Sequence, residues 1–565
     1  MKTPGFFAQA YPTIFINGSA DITIPQLVKL DYQEWVTHIY YNCDNRVSSH
    51  PFLKFFLLNL GLRMRALQQG SFIVAQQLND AHLTIEELRN NLENDDESVP
   101  RKLISVGAKF ANSDPYWRDR KIELDNLVLF RKKEFGDLPA YFDTNSLAEF
   151  QWKPLKELFI KYISKIEGTS PDIVRAKVES DFLYYQKVIL SNLHIVGTYF
   201  NNRTVNYYTT VGKELFQTSD MWIRYEFAKG RGEIHSHAII SSSTHSEKIK
   251  EAMDLVEIDK QAGKSNTEKA AIKLHKWLQT DSENTDDLFS PNFVSMHPAG
   301  GRISTNEKGE NAWIPHTDLW PKPTGNYQPP SYNPLSENLS NHSHDQKSLN
   351  DFHIALTNKV GIHKCNSTCL KYKKKNSKFK YCRFHFGKTN TETKESEGKS
   401  IHPFHPLITD GDHPRFEGNR DHSHMISHIK TRLLSWLANS DSQAIIDQDL
   451  MSLLKYITQY ACKGSSSTDD LVRLYKHLLD VNSNNTSVKS IAQQLLLKII
   501  GLIDMPAAAV DYLNCGGQLY HCTRKFRRIS LSGFRMLCLN SKDGKATKES
   551  PLDQFLGPKR REKYP

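Results

Sequence analysis

The spacing of apolar residues along the chain separates helical segments from strand-like ones. Residues 1 to about 135 and 428–505 carry mostly helical periodicity, and residues 152–165 form an amphipathic helical pattern. Residues 140–147 and 183–241 contain short runs that are typical of strands. Helices and strands grouped in this way predict an α+β fold with more than one domain.

One helical run near the N-terminus carries two arginines among apolar residues. Residues 51–72 place apolar side chains on several faces, which favours a buried helix. The alternative interpretation is a helix that also lays Arg63 and Arg65 on a phosphate backbone. Both arginines are therefore candidate DNA-binding residues.

Shifts in composition divide the chain into successive regions. The clearest boundary is a stretch rich in Pro, Asn and Ser, which predicts a linker. The predicted regions are a helical N-terminal domain (1–135), a first sheet-containing part (136–320), the linker (321–350), a Cys/His insertion with a loop (351–400), a second sheet-containing part (401–540) and a basic disordered tail (541–565).

Composition limits the classes of protein to consider. The 565 residues carry a formal net charge of +10, which favours a polyanionic partner. Eight cysteines are too few for a disulfide scaffold in a chain of this length and indicate a reducing compartment. Neither a membrane span nor a signal peptide is expected. The basic run 559–563 is either a nuclear signal or a solvated chain end, and a nuclear location is the expectation.

Two histidines on one strand-like run are the first candidates for chemistry. Residues 225–227 and 234–239 have strand character, and residues 229–232 have turn chemistry, so the segment predicts a β-hairpin. Alternate residues of a strand share a face, so His235 and His237 lie side by side. Such a pair either holds one divalent metal ion or is simply hydrogen-bonded at a sheet surface.

A pair of tyrosines in a helical segment is the second candidate. Tyr456 and Tyr460 are four residues apart, so both hydroxyls project from one face of a helix. Lys463 falls near the same face, and Gly464 suits the end of the helix. Most pairs of tyrosines on one face of a helix serve only to pack that helix against its neighbours. The functional alternative is that one phenol attacks a phosphodiester beside a metal ion. Tyr456 lies deeper in the apolar pattern and is preferred for the first cleavage.

A metal ion held by two histidines needs a further ligand. Glu149 and Gln151 lie in the segment 145–152, and a carboxylate suits Mg²⁺ or Mn²⁺ better than an amide does. Glu149 is therefore the first candidate and Gln151 the second. The alternative for Glu149 is an ordinary glutamate in the first turn of a helix.

A cluster of cysteines and histidines has the spacing of a zinc site. Two close pairs are separated by about a dozen residues, which a tetrahedral zinc ion can close. The basic stretch 371–380 between them would then also contact a DNA backbone. The alternative is free cysteines in a basic loop. The candidate zinc ligands are His363, Cys365, Cys369, Cys382 and His385.

Other motifs are absent or do not fit a site. Residues 422–424 have the same His-Ser-His sequence as residues 235–237. They have no flanking strand pattern, so a loop is predicted there. The sequence has no phosphate-binding loop, dinucleotide fingerprint or nucleophile elbow, and therefore no evident ATPase or helicase.

In their order along the chain, these motifs resemble the Rep endonuclease region of Helitron rolling-circle transposases. The resemblance covers about residues 5–535. Besides the histidine hairpin, the Cys/His stretch and the tyrosine helix, it depends on segments 7–13, 51–65, 70–72, 113–117, 146–152, 295–298 and 435–441. There are two departures. Ser236 stands where the family usually has an apolar residue, and the helicase part is absent.

The resemblance implies a HUH nuclease, with a central antiparallel sheet flanked by helices and a mainly helical N-terminal domain. It implies that His235 and His237 bind Mg²⁺ or Mn²⁺. It also implies that Tyr456 and Tyr460 cut single-stranded DNA at transposon ends, leaving a 5′-phosphotyrosine and a 3′-hydroxyl. A helicase domain or protein is then an expected partner.

Two other functions compete with this one. The first is a catalytically inactive, transposon-derived DNA-binding protein. Against complete decay, the sequence retains both histidines and both tyrosines of the site, although random mutation would soon replace one of four scattered residues. The four residues are His235, His237, Tyr456 and Tyr460. The second is a zinc-dependent interaction module built on the Cys/His cluster.

Overall fold

The computed structural model describes residues 3–18, 20–25, 30–41, 45–76, 84–94, 104, 106–228, 232–261, 270–271, 273–274, 277, 302–305, 311–314, 330–361, 363, 407–408, 416–417, 426, 428–446, 468–482 and 486–526. Residues Met1–Thr523 form one compact unit, and every feature below lies within it.

The chain combines many helices with short strands, as the predicted α+β class requires. The helices are α1 (Phe6–Ala10), α2 (Tyr32–Tyr40), α3 (Arg46–Ser49), α4 (Leu53–Gln76), α5 (Ile85–Glu93), α6 (Asp114–Phe135), α7 (Lys153–Glu167), α8 (Pro171–Ser180), α9 (Phe182–Ser191), α10 (Leu193–Thr209), α11 (Val211–Leu215), α12 (Ser243–Gln261), α13 (Gln346–Val360), α14 (Lys430–Trp436), α15 (Thr468–Val481), α16 (Val488–Gly501) and α17 (Ala507–Asn514). The strands are β1 (Tyr141–Ser146), β2 (Asp220–Phe227), β3 (Ile234–Ser241), β4 (Arg302–Thr305), β5 (Asn311–Ile314), β6 (Leu407–Ile408), β7 (Phe416–Glu417), β8 (Ser440–Ala444) and β9 (Tyr520–Cys522). None of the described helices is long and apolar enough to cross a membrane.

A five-stranded antiparallel sheet contains the histidine pair, in the strand order β8-β1-β3-β2-β9. The middle strand is β3, which pairs with both β1 and β2. Ile234, Ser236 and Ala238 are buried on one face of β3, whereas His235 and His237 are half-buried on the other. The predicted sharing of a face by the two histidines is confirmed.

Helices cover the face of the sheet opposite the histidines. Phe159 of α7 and Phe200 of α10 are fully buried in a core that also contains Ala238. Trp152 and Trp436 meet edge to face in the same core, with ring centroids 5.5 Å apart. Burying one large apolar side chain contributes about 1.5–3 kcal/mol, so this core fixes the sheet against its helices.

A buried ion pair also lies on the covered face. Asp143 of β1 contacts Arg432 of α14, and both side chains are shielded from solvent. The Tyr208 hydroxyl donates to the Asp143 carboxylate at 3.0 Å and accepts from the Asn145 amide at 2.7 Å. This network ties α14, which precedes β8, to the strand beside β3.

The N-terminal helices pack against helices from the far end of the sequence. The Lys54 ammonium of α4 lies 2.8 Å from the Asp511 carboxylate of α17, and the Tyr40 hydroxyl donates to the same carboxylate at 3.0 Å. The Asn514 amide donates to the Tyr40 hydroxyl at 2.9 Å. His194 packs edge to face against Tyr40, and neither of its buried ring nitrogens has a hydrogen-bond partner among the described residues.

The prediction of strands over the first part of 183–241 was wrong. Residues 182–215 form α9, α10 and α11, and the first strand of this region begins at Asp220. The segment is rich in aromatic and β-branched residues, which favour strands. However, the buried side chains of α10 recur at helical spacing, at Val196, Phe200, Thr204, Tyr207 and Tyr208.

Two further segments differ in detail from the sequence pattern. Within the predicted linker 321–350, the structure describes residues 330–350, where Leu335 packs with Phe352 and Leu433. Residues 440–444 lie in the span predicted as helical but form β8, because they pair with β1.

Candidate metal centre

The turn between β2 and β3 sets the register of the histidine strand. Gly232 has φ of +73°, a left-handed conformation that glycine adopts without strain, and its amide donates to the Ala228 carbonyl at 2.9 Å. The Ala228 amide donates to the Glu233 carbonyl at 3.0 Å and closes the hairpin. The resulting register places Glu226 directly opposite His235.

Glu226, His235 and His237 form a compact group of metal-ligating side chains. Glu226 Oε2 lies 3.4 Å from His237 Nε2 and 3.9 Å from His235 Nε2. It is the only such group of three that the described residues contain, with one ligand atom of each within 4.8 Å of the others. The Glu226 side chain is 42% exposed, so an ion and its substrate can approach from solvent. Two imidazoles and a carboxylate suit a divalent ion such as Mn²⁺.

Strand β1 holds the ring of His237. Thr144 lies opposite His237 in the register, and its Oγ1 is 3.0 Å from His237 Nδ1. The Phe142 ring stacks on the same imidazole, with centroids 5.7 Å apart and planes 20° apart. In the tautomer that donates from Nδ1 to Thr144, Nε2 keeps a lone pair for a metal ion; in the other tautomer, Nε2 carries the proton and donates to Glu226.

The group has the protonation states that a cation needs. The hydrogen bond from His237 and the nearby Arg224 charge lower the pKa of Glu226 to about 2, against the opposing effect of burial. Burial, followed by the neighbouring His237, lowers the pKa of His235 below its usual value. At neutral pH the carboxylate is therefore charged and the His235 ring keeps a lone pair for a metal ion.

Cationic and aromatic side chains border the group on the β2 side. Arg224 lies opposite His237, and its guanidinium is 4.1 Å from the centroid of the Trp117 ring of α6. Arg120 of α6 lies 4.4 Å from the centroid of the Tyr520 ring of β9. Helix α6 therefore packs against this face of the sheet at its β2–β9 side, where the Arg120 charge is paired with Asp119 and Glu123 of the same helix.

An acidic side chain lies across β1 from the histidines. Asp441 of β8 is opposite Thr144 in the register, and Gln443 donates to its carboxylate at 3.3 Å. Burial raises the pKa of Asp441 to about 7. This carboxyl can accept or release a proton near neutral pH, as a general acid or base must.

The third ligands predicted from sequence lie in the loop that follows β1. The Gln151 carboxamide accepts from Asn333 at 2.5 Å, and the backbone carbonyl of Glu149 accepts from the Tyr185 hydroxyl at 3.4 Å. The carboxylate that the structure brings to the histidine pair is that of Glu226. Sequence reasoning missed this residue, although the hairpin pattern that located the histidines contained it.

The candidate DNA-binding arginines are exposed residues of α4. The helix buries Leu57 and Leu62, while Arg63 and Arg65 are exposed and Arg63 Nε donates to Asn59 at 2.7 Å. The two arginines are two positions apart, so they project from different sides of the helix.

Of the remaining predicted site residues, one belongs to the part of the chain that the structure describes. His363 is described and follows α13. Outside the described residues lie Tyr456, Tyr460, Lys463, Cys365, Cys369, Cys382, His385 and the run His422–His424.

Comparison with protein-family models, with curated proteins and with solved structures found no match to this chain. Its function is therefore inferred from the chemistry of its own residues.

Proposed function

We propose that this protein is a metal-dependent endonuclease and strand transferase for single-stranded DNA, of the HUH type used by Helitron rolling-circle transposons. The observation that carries the proposal is the group formed by His235, His237 and Glu226. The group lies on β3, the middle strand of an antiparallel sheet, and on the neighbouring strand β2. Both strands present it on the face of the sheet opposite the main helical core. The order of sequence motifs supports the same function.

The proposed reaction is a transesterification at phosphorus. The phenolic oxygen of Tyr456 or Tyr460 forms a bond to the scissile phosphate as the bond to the 3′-oxygen breaks. The products are a 5′-phosphotyrosine and a free 3′-hydroxyl, which takes up the proton that the phenol loses. Attack of another 3′-hydroxyl on the phosphotyrosine reverses these bond changes and joins a new strand.

The chain's own residues contribute positioning and charge. Glu226, His235 and His237 would hold Mg²⁺ or Mn²⁺, which polarises a phosphate oxygen when bound. The anionic Glu226 and the neutral His235 are already in the required states, and Thr144 fixes the His237 ring. Little reorganisation is needed before a cation binds, which favours catalysis.

The alternative is a transposon-derived protein that binds DNA without cutting it. The assembled group of three ligands favours the enzyme, because backbone contacts to DNA need cations rather than a carboxylate between two histidines. A helicase partner and DNA ends remain part of the proposal.

The deciding experiment uses the full chain with labelled single-stranded DNA and Mn²⁺, and measures a covalent protein–DNA adduct on a denaturing gel. We expect an adduct that chelator abolishes, that Tyr456→Phe/Tyr460→Phe removes and that Glu226→Gln reduces by more than about tenfold. Glu233→Gln is the matched control, since it removes an exposed carboxylate from the same hairpin.

Two results would overturn the proposal. One is the absence of any adduct across varied substrates that the protein nevertheless binds, which would establish the DNA-binding alternative. The other is an adduct that survives both chelation and the double tyrosine substitution.

A further inference from the structure

A second pair of histidines lies between α13 and α14. His353 Nε2 and His428 Nε2 are 3.0 Å apart, the ring centroids are 5.3 Å apart and the ring planes make an angle of 65°. The rings therefore meet at their ε edges instead of stacking. His353 is 3% exposed and His428 is half-buried, so the contact is largely shielded from solvent.

The backbone decides which nitrogen of His428 faces its partner. His428 Nδ1 lies 3.0 Å from the Ile426 carbonyl and donates its proton there. A neutral ring in this tautomer directs the bare lone pair of Nε2 at His353. Histidines that bind metal ions commonly donate their other ring N–H to a backbone carbonyl in this way.

The distance between the two nitrogens is close to that in a zinc site. Zinc binds imidazole nitrogen at about 2.0–2.1 Å in tetrahedral geometry, which separates two ligand nitrogens by about 3.3 Å. The observed 3.0 Å between His353 and His428 differs from this value by a few tenths of an ångström. A small outward rotation of the rings would accommodate the ion.

Both sides of the pair are held in place. The Ile426 amide donates to the Gly361 carbonyl at 2.7 Å, which fixes the segment of His428 to the end of α13. Phe352 and Leu433 belong to an apolar cluster that joins α13 to α14. Two ligands that are already positioned lose little conformational entropy when an ion binds.

Lys430, whose charge acts on His353, has a hydrogen-bond partner of its own. The Lys430 ammonium donates to Asn350 Oδ1 at 2.6 Å. Burial, with His428 and Lys430 as further contributions, lowers the pKa of His353 well below its usual value, so the ring is neutral near pH 7. A neutral imidazole is the form that binds zinc.

We propose that His353 and His428 are two ligands of a zinc ion that ties α13 to the segment preceding α14. This site is distinct from the Glu226 group and does not depend on the nuclease function. Because α14 carries the Arg432 that pairs with Asp143, the ion would stabilise the attachment of this helical pair to the sheet.

The test uses full-length protein with His235→Ala/His237→Ala, which removes the first pair of metal ligands. Zinc content is measured after dialysis, and affinity is measured by titration with Zn²⁺ and with Co²⁺ as a spectroscopic probe. We expect one zinc ion per chain to be lost in His353→Ala/His428→Ala. We also expect Kd to rise by more than about 100-fold, above the roughly 10–100-fold caused by losing an outer-shell partner.

Two further variants keep the test decisive. His477→Ala, an exposed histidine of α15, controls for histidine content. His428→Gln keeps a polar group of similar reach; if the alanine pair fails to fold, loss of zinc in this variant supports the proposal. Unchanged zinc content and Kd in the folded pair variant would overturn it, leaving an ordinary N–H···N hydrogen bond. Loss of zinc only in Cys365→Ser/Cys382→Ser would overturn it as well, by assigning the metal to the cysteines alone.

Discussion

Replacing Thr144 by valine tests whether the sheet tunes the metal-binding group through His237. The substitution keeps the branched shape and removes only the hydroxyl, which lies 3.0 Å from His237 Nδ1. A hydrogen bond of this kind contributes about 0.5–1.5 kcal/mol to stability. Loss of an outer-shell partner lowers metal affinity by about 10–100-fold. Since the His237 side chain is 20% exposed, water can partly replace the hydroxyl, and we expect the lower end of that range.

The assay is calorimetric titration of the full chain with Mn²⁺, in parallel with thermal unfolding. Thr144→Val should weaken binding about tenfold, or about 1.4 kcal/mol, because the ring loses the acceptor that fixes its tautomer. Thr144→Ser retains the hydroxyl and should bind within about twofold of the natural protein. Equal affinity in Thr144→Val and the natural protein would refute the role of Thr144. An equal loss in Thr144→Ser would show that the methyl group, and not the hydroxyl, matters.

Three predictions concern stability. Burial, with a further contribution from the charge of Lys54, lowers the pKa of His194 to about 4. Because the unfolded histidine takes up a proton near pH 6.5 and the folded one does not, stability is present above pH 6.5 and is lost as the pH falls towards 4. Between pH 7.5 and pH 5 the free energy of unfolding should fall by about 2 kcal/mol less in His194→Phe than in the natural protein. Urea unfolding at the two pH values measures this difference, and an unchanged pH dependence would contradict it. Arg432→Met should cost about 3–5 kcal/mol and lower Tm, because it leaves Asp143 buried without its partner, and adding Asp143→Asn should restore much of the Tm. Gly232→Ala should cost about 1–2 kcal/mol, since φ is +73° and the new Cβ would lie 3.2 Å from Ala508 Cβ; a Tm equal to that of the natural protein would exclude this strain.

The sequence pattern predicts the histidine hairpin because its signals are local. A turn with Gly232 joins two strand-like runs, and alternation puts both histidines on one face. Glu226 was missed because choosing it requires the cross-strand register, and Glu149 was ranked instead on residue type alone. The hairpin loop does fix that register, so counting back from His235 across the turn would have found Glu226.

Other parts of the fold depend on contacts that no local pattern contains. Strand β8 reads Ser-Asp-Ser-Gln-Ala, without apolar alternation, and is a strand because β1 supplies its hydrogen-bond partners. The ion pair of Lys54 with Asp511 joins residues 457 positions apart. Such pairs depend on the tertiary packing of α4 against α17, which neither helix encodes by itself.

The strand order of the sheet has a consequence for synthesis on the ribosome. β1, β2 and β3 have all emerged once Ser241 is made, but the two edge strands that flank them come from residues 440–444 and 520–522. At about 5–20 residues per second, the nascent three-stranded sheet waits between roughly 15 s and 1 min for its last strand. During that interval β1 and β2 expose unpaired edges, which are templates for aggregation. Slow translation or low chaperone capacity should therefore lower the yield of this protein through aggregation before the sheet is complete.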